Sequence, residues 1–182
     1  LYSGIMQTPA RFCQLRDKAW RVDLLHGKDV ETLLDGVVHS KTQVGTLWVD
    51  LTVREIHRLT KRGSLDFGGS EYSPAETVPL KAHRRSEEDK YGWWELRHGM
   101  YLLHFNESLS LPAGHTALLT PHPRLTATGS AHASTYLSAG DPLNAVLDIP
   151  QAGCALKENC RVSRLPVFKN GFRGLSSPES AQ

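Results

Sequence analysis

The stretch LLHFNESLSLPAGHTALLTPHPRLTATGSAHASTYLSAGDPLNAVLDI, residues 102–149, decides the fold class. Its apolar and β-branched runs are broken every few residues by turn formers: Asn106-Glu107, Pro112-Ala113-Gly114, Pro121-His122-Pro123 and Gly140-Asp141-Pro142. Short runs with such breaks are the pattern of short strands in a compact β domain, and no helix of useful length fits between them. Two more short strands follow, about 154–157 and 161–168, with turns at Pro150-Gln151-Ala152-Gly153 and Glu158-Asn159.

Working outward, residues 46–59, TLWVDLTVREIHRL, begin with alternation at Leu47, Val49, Leu51 and Val53 and read as a strand passing into helix after Arg54. Period-2 geometry puts Asp50, Thr52 and Arg54 on one face. Upstream, residues 20–35 place Leu24, Leu25, Val30, Leu33 and Leu34 near helical spacing, with Gly36 as a stop. This predicts a short amphipathic helix over 28–35 that caps one end of the barrel. Residues 61–90 are polar and rich in Gly, Ser and Pro, and KAHRRSEEDK carries eight ionisable residues in ten positions, so a surface loop is expected there. Trp93 and Trp94 then return the chain to apolar surface, as core or subunit-contact residues or as a platform for a base. The expected organisation is one domain over 1–182: a preface with a short helix (1–45), a β core (46–168) and a flexible tail (169–182).

Charge and composition exclude some functions. The 21 Lys and Arg against 19 Asp and Glu leave a formal charge of +2, so no strong global field points to nucleic acid or to an anionic membrane. Residues 157–182 hold five basic and two acidic residues, which makes the C-terminal end the better place for a polyanion. The three cysteines, Cys13, Cys154 and Cys160, form no C-x-x-C pair, and no apolar run near the start serves as a signal peptide or a span. A soluble, reducing, cytoplasmic setting is the expectation. Leu1 in place of Met predicts a numbered chain that starts inside the gene product.

The order of several phrases resembles the dCTP deaminase and dUTPase superfamily: VDL at 49–51, LHFNESLSLPAGHTALL, the hydroxyl-rich turn 123–130, the hairpin closed by GDPLNAVLDI, and RLPVF followed by FRGLSS. They echo the family's VDL strand, its ESLxLP phrase, its RSSLARLG turn, a Gly-closed hairpin leading to LTLEI, AQLVF and a Gly-containing tail. The resemblance covers about 47–177. It implies a mainly β, β-clip or jelly-roll-like distorted barrel, assembled as a homotrimer with sites between neighbouring chains. It also implies a deoxypyrimidine nucleoside triphosphate as ligand, with magnesium (Mg2+) carried on the phosphates and no resident protein metal.

Carried over by position, the resemblance puts Arg124, Thr126, Thr128 and Ser130 in a phosphate-gripping turn. His132 and Tyr136, with Asn144 and Val146, would line base and sugar. Asp148 stands where the deaminase pattern has a water-activating Glu, and Asp141 is nearest to the Asp with which the dUTPase pattern positions water. Phe172 would close over the ring and Arg173 over the phosphates. Two departures stand out: RSSLARLG has become HPRLTATGS, so the second Arg falls near Ala127, and Asp148 is one methylene short. They leave open an altered substrate, other residues in the same task, or a non-catalytic nucleotide- or protein-binding relative.

Two other constellations exist on paper. His98, His104, Glu107 and His115 loosely suggest a cupin-like metal site, yet His98 and His104 would stand ~20 Å apart on one strand at about 3.3 Å per residue. Ser134, His132 and Asp148 contain the residue types of a hydrolase triad, without a G-x-S-x-G elbow.

Overall fold

The computed structural model describes residues 20–172. In chain order the elements are β1 Trp20–Leu24, α1 Gly27–Glu31, β2 Leu34–Asp35, α2 Ser40–Gln43, β3 Val49–Lys61, β4 Glu76–Pro79, β5 Trp93–Leu96, β6 Gly99–Phe105 and β7 Ser108–Leu109. There follow β8 His115–Pro121, α3 Pro123–Ala127, β9 Ala131–His132, β10 Thr135–Leu137, β11 Asn144–Ile149, β12 Cys154–Lys157, β13 Arg161–Leu165 and β14 Val167–Phe172. Ten strands form one curled, half-barrel sheet in the order β1-β14-β8-β13-β3-β6-β11-β9, with β10 on β8 and β4 on β3. The pairs β12-β5 and β2-β7 stand apart from it. The mainly β expectation therefore holds.

Alternation drives the curl. Along β11, Ala145, Leu147 and Ile149 turn inward while Val146 and Asp148 turn out. Leu51, Ile56, Leu103, Leu119, Leu147, Ile149 and Leu165 are fully buried and form the centre of the core. A fully buried Leu of this kind contributes roughly 1.5–3 kcal/mol by leaving water.

Four local expectations need correction. The chain does not turn helical after Arg54, because β3 continues to Lys61, pairing with β6 and β4. A register shift between Val53 and Glu55 re-aims the strand so that Ile56 is buried after two exposed residues, which imitates helical spacing. The helix expected over 28–35 ends at Glu31, and Leu34–Asp35 instead pairs with Ser108–Leu109. Gly36 follows at φ 81°, where a Cβ would press on the Asn106 carbonyl oxygen. The charged excursion 61–90 is largely exposed but not structureless, since Glu76–Pro79 pairs with β3 and Lys61 Nζ reaches Glu76 Oε1 at 2.9 Å. Residues Lys169 to Phe172, assigned to a flexible tail, complete β14 and pair with β1.

Candidate functional site

The sequence-predicted residues separate into three places. The first is a pocket of about 330 Å³ beside the turn between β10 and β11, lined by Tyr136, Asp141, Asn144 and Val146 among others; the two strands do not form the expected hairpin, since β10 pairs with β8 and β11 with β6 and β9. The turn is built around Asp141. Its Oδ2 accepts the Ser138 N–H at 2.7 Å, its own N–H bonds back to the Ser138 carbonyl, and Gly140 supplies φ 89°. That arrangement fixes the carboxylate relative to the pocket wall. Tyr136 and Val146 remain exposed, so one side of the pocket is open.

The second place is the outer face of the sheet. Asp148 is exposed on β11, with Met100 and Ala131 as its strand neighbours, and it does not line the Asp141 pocket. His132 and Ser130 lie inward instead. His132 is buried, with Nε2 2.7 Å from the Ser163 hydroxyl and Nδ1 2.9 Å from the Ala133 carbonyl. Burial holds its imidazole below the usual histidine range, so the ring is neutral, with its proton on Nδ1 and Nε2 accepting from Ser163. The Ser130 hydroxyl is buried without a hydrogen-bond partner among the described residues. Ser134, His132 and Asp148 form no triad, because both nitrogens of His132 are engaged elsewhere.

The third place is a pocket of about 370 Å³ beside α3, where Arg124 and Thr128 meet Trp93, Lys157, Arg161 and Thr42. Pro123 starts this helix at a position where its missing N–H costs nothing, and the His122 side chain caps it, Nδ1 accepting the Arg124 N–H at 3.0 Å. The hydroxyls of Thr126 and Thr128 donate to the Pro123 and Leu125 carbonyls, at 2.9 and 2.7 Å. Their donor capacity is spent inside the helix turn.

Beneath this pocket lies a cluster that sequence reasoning missed. Asp50 is buried and receives Arg161 Nη1 at 3.1 Å, Arg164 Nε at 3.1 Å and His122 Nε2 at 3.3 Å. Burial and the neighbouring arginines hold His122 below its ordinary pKa against the pull of Asp50. Nearby, Glu107 accepts from Thr52 N–H, Thr52 Oγ1 and Gln43 Nε2 at 2.9, 2.7 and 2.6 Å. Burial pushes its carboxyl above the usual range despite those bonds. The signal for the cluster was an acid inside the apolar alternation of β3, read instead as one member of a polar face. Cys160 lines the same pocket, its thiol pushed up to about 12 by burial and so unreactive.

The remaining candidates do not converge. His98 Nδ1 meets the Ile149 carbonyl and His115 Nδ1 the Ala113 carbonyl, while Glu107 is enclosed by its own donors. Among the described residues no three His, Cys, Asp or Glu side chains gather as a metal site requires. Of the tryptophans, Trp94 is core, with its indole N–H on the Leu80 carbonyl, and Trp93 is half-buried with the Arg85 guanidinium 3.9 Å above its ring. Arg173 and the Phe172 side chain lie outside what the structure describes. No helix among the described residues is long and apolar enough to cross a membrane.

The described residues thus form a curled half-barrel with an acid-bearing pocket at the β10–β11 turn and a separate basic pocket beside α3. No family model matches the sequence. The chain is 29% identical over 157 residues to a probable deoxyuridine 5'-triphosphate nucleotidohydrolase of Methanosarcina mazei, covering 81% of this chain and 88% of that protein. It is 37% identical over 107 residues to a protein of the same description from Aeropyrum pernix, covering 58% and 60%. Among solved structures, the 2'-deoxycytidine 5'-triphosphate deaminase of Agrobacterium tumefaciens superposes with a TM-score of 0.60 at 16% identity. The match covers 81% of this chain and 47% of the deaminase, so the chain spans about half the length of that neighbour. In sequence the chain is therefore similar to proteins described as probable deoxyuridine 5'-triphosphate nucleotidohydrolases, and in fold to a 2'-deoxycytidine 5'-triphosphate deaminase.

Proposed function

We propose that this chain hydrolyses a deoxypyrimidine nucleoside triphosphate, releasing pyrophosphate, with Asp141 as the residue that positions and deprotonates the attacking water. The observation that carries the reading is that Asp141, alone of the two candidate carboxylates, lines a pocket, together with Tyr136, Asn144 and Val146. Backbone groups around the β10–β11 turn would read the pyrimidine edge, with Tyr136 and Val146 against base and sugar. Water oxygen bonds to the α-phosphorus, its proton passes to the Asp141 carboxylate, and the bond to the bridging oxygen breaks to release pyrophosphate. The names of the curated relatives favour this outcome over deamination.

Arg124 is the phosphate ligand on the α3 side, with Thr126, Thr128 and Ser130 on the same turn. Magnesium arrives with the triphosphate as part of the substrate. In one chain the Arg124 turn and the Asp141 turn line different pockets. A homotrimer would bring the Asp141 turn of one subunit over the Arg124 turn of the next. Its place of work is the cytoplasm.

A second reading, deamination at C4 of cytosine, rests on the exposed Asp148 carboxylate, which a neighbouring subunit could enclose. One assay separates the two. Incubation with dUTP, dCTP and dTTP plus magnesium should release pyrophosphate, and Asp141→Asn should abolish that release while nucleotide affinity stays within about threefold. Ammonia from dCTP, lost in Asp148→Asn and kept in Asp141→Asn, would overturn the hydrolase reading. No product from any nucleotide would make the chain a binding relative.

A further inference from the structure

We infer that His57 and His104 form a one-proton latch on the edge strand β4: a single proton is held on His57, and a second, on His104, releases Glu76–Pro79 from β3 and bares the β3 edge. The latch stands whether or not the chain turns over a nucleotide. Its two rings come from paired strands, with centroids 4.5 Å apart and planes tilted by 59°. The register shift beyond Val53 sets Glu55 opposite His104 and His57 opposite Leu102, so the two imidazoles are diagonal neighbours across the β3-β6 ladder.

His57 is placed to carry a proton. Its side chain is 18% exposed, with Nε2 3.2 Å from Glu55 Oε2 and Nδ1 3.2 Å from Thr77 Oγ1 on β4. As an imidazolium it donates from both nitrogens, to the carboxylate and to the hydroxyl, so both bonds survive. Arg54 Nε lies 3.4 Å from the other oxygen of Glu55. The hydrogen bond from His57 holds the Glu55 carboxyl below its usual range, so this acceptor stays charged as the pH falls.

His104 has no such provision. Its Nε2 is buried without a hydrogen-bond partner among the described residues, and Asn144, opposite it on β11, brings no charge. Burial first, then His57, hold its imidazole below the usual histidine range against the pull of Glu55, and Arg54 adds to the effect. His104 lines a pocket of about 280 Å³ with Arg54, Glu107 and Asp141, but Glu107 is enclosed by Thr52 and Gln43, and Asp141 Oδ2 is taken by the Ser138 N–H. A second proton therefore sets two imidazoliums 4.5 Å apart beside Arg54, with Glu55 the one carboxylate that serves them.

The conflict is relieved at β4. Strands β3 and β6 are anchored by the fully buried Ile56 and Leu103. In contrast, β4 is short and mostly exposed, and beyond its ladder it is tied to β3 by the Thr77–His57 bond and the exposed Lys61–Glu76 pair. An element with so little buried opens before the core does. Its departure removes Thr77 and lets the His57 ring turn into water, away from His104.

The test follows amide exchange and ring charge in the whole protein. From about pH 7.5 to about pH 5, exchange at Glu76, Thr77 and Val78, corrected for the intrinsic rate, should speed up roughly tenfold, the effect of one displaced pKa unit. In His104→Phe, which keeps a flat ring and takes no second proton, the change should stay below about threefold. Because His104→Phe could fail to fold, isotope-edited spectra of the histidine rings in wild type supply a second measurement: His57 should gain its proton first, and His104 only as β4 opens. Equal acceleration in wild type and a folded His104→Phe, no acceleration in wild type, or a charged His104 ring while the β4 amides stay protected overturns the latch. Acceleration of the same size at Leu103 and Leu147 would make the opening global and overturn it too.

Discussion

Replacing Glu107 probes the bond that ties α2 to β3 beneath the basic pocket. Its carboxylate serves two donors that cannot turn away, the Thr52 N–H and the Gln43 Nε2–H, and one that can, the Thr52 hydroxyl. In Glu107→Ala both fixed donors lose their partner in a buried place, at about 1–3 kcal/mol each, so about 4 kcal/mol is expected. For a chain of this size that corresponds to a fall of roughly 8–16 °C in Tm. Glu107→Gln keeps the shape and one acceptor. Whichever way the amide is turned, its NH2 faces one fixed donor, and the cost should be about 1–3 kcal/mol.

The pH dependence adds a second signature. Burial raises the Glu107 pKa, so the folded chain keeps this proton when the unfolded chain has lost it above about 4.5. The stability linked to that proton is present below 4.5 and lost as pH rises through the folded value. Glu107→Gln has no such proton, so its deficit against wild type should be largest at acid pH and shrink on the way to neutral. Urea unfolding of the three proteins from pH 4 to 8 reads both effects. A cost below about 1 kcal/mol for Glu107→Ala, or equal costs for the two variants, would refute the reasoning.

Three further outcomes are expected. His104, His122 and His132 are all held below their ordinary value near 6.5, with burial the first cause, so the unfolded chain binds protons that the folded chain refuses. Stability should be fully present above 6.5 and fall on acidification below it, and His132→Gln should flatten part of that slope in the same urea series. Leu51→Ala, at a fully buried position, should cost about 2–5 kcal/mol by urea unfolding. Asp148→Asn should leave pyrophosphate release near wild type in the assay that Asp141→Asn abolishes, and equal losses in both would place the two carboxylates in one site.

The fold class was legible because β11 and its neighbours alternate cleanly, and Gly140-Asp141-Pro142 marks a turn that the structure contains. What misled was local re-aiming of strands. A register shift puts Ile56 of β3 in the core out of step with Val53, so Glu55 to Leu59 looks helical when read as a regular series. The helix over 28–35 failed for a tertiary reason, since Leu34 and Asp35 find partners in β7, distant in sequence. Such a pairing leaves no periodic trace.

The same kind of irregularity hid the Asp50 cluster. In a regular strand Arg161 and Arg164, three residues apart, would point to opposite faces. The register shift between Arg161 and Ser163 sets Arg161 opposite Thr52 and Arg164 opposite Asp50, which brings both guanidiniums to one side of the sheet. One carboxylate can then hold both, at 3.1 Å each. Deleting Val162 would remove the bulge and leave Arg161 two residues before Arg164 in a regular strand, still opposite Thr52 and on the Asp50 side, so a variant that survives the loss of this buried valine should keep both ion pairs. A folded deletion variant in which Asp50→Asn costs nothing by urea unfolding would show that the two pairs had not survived.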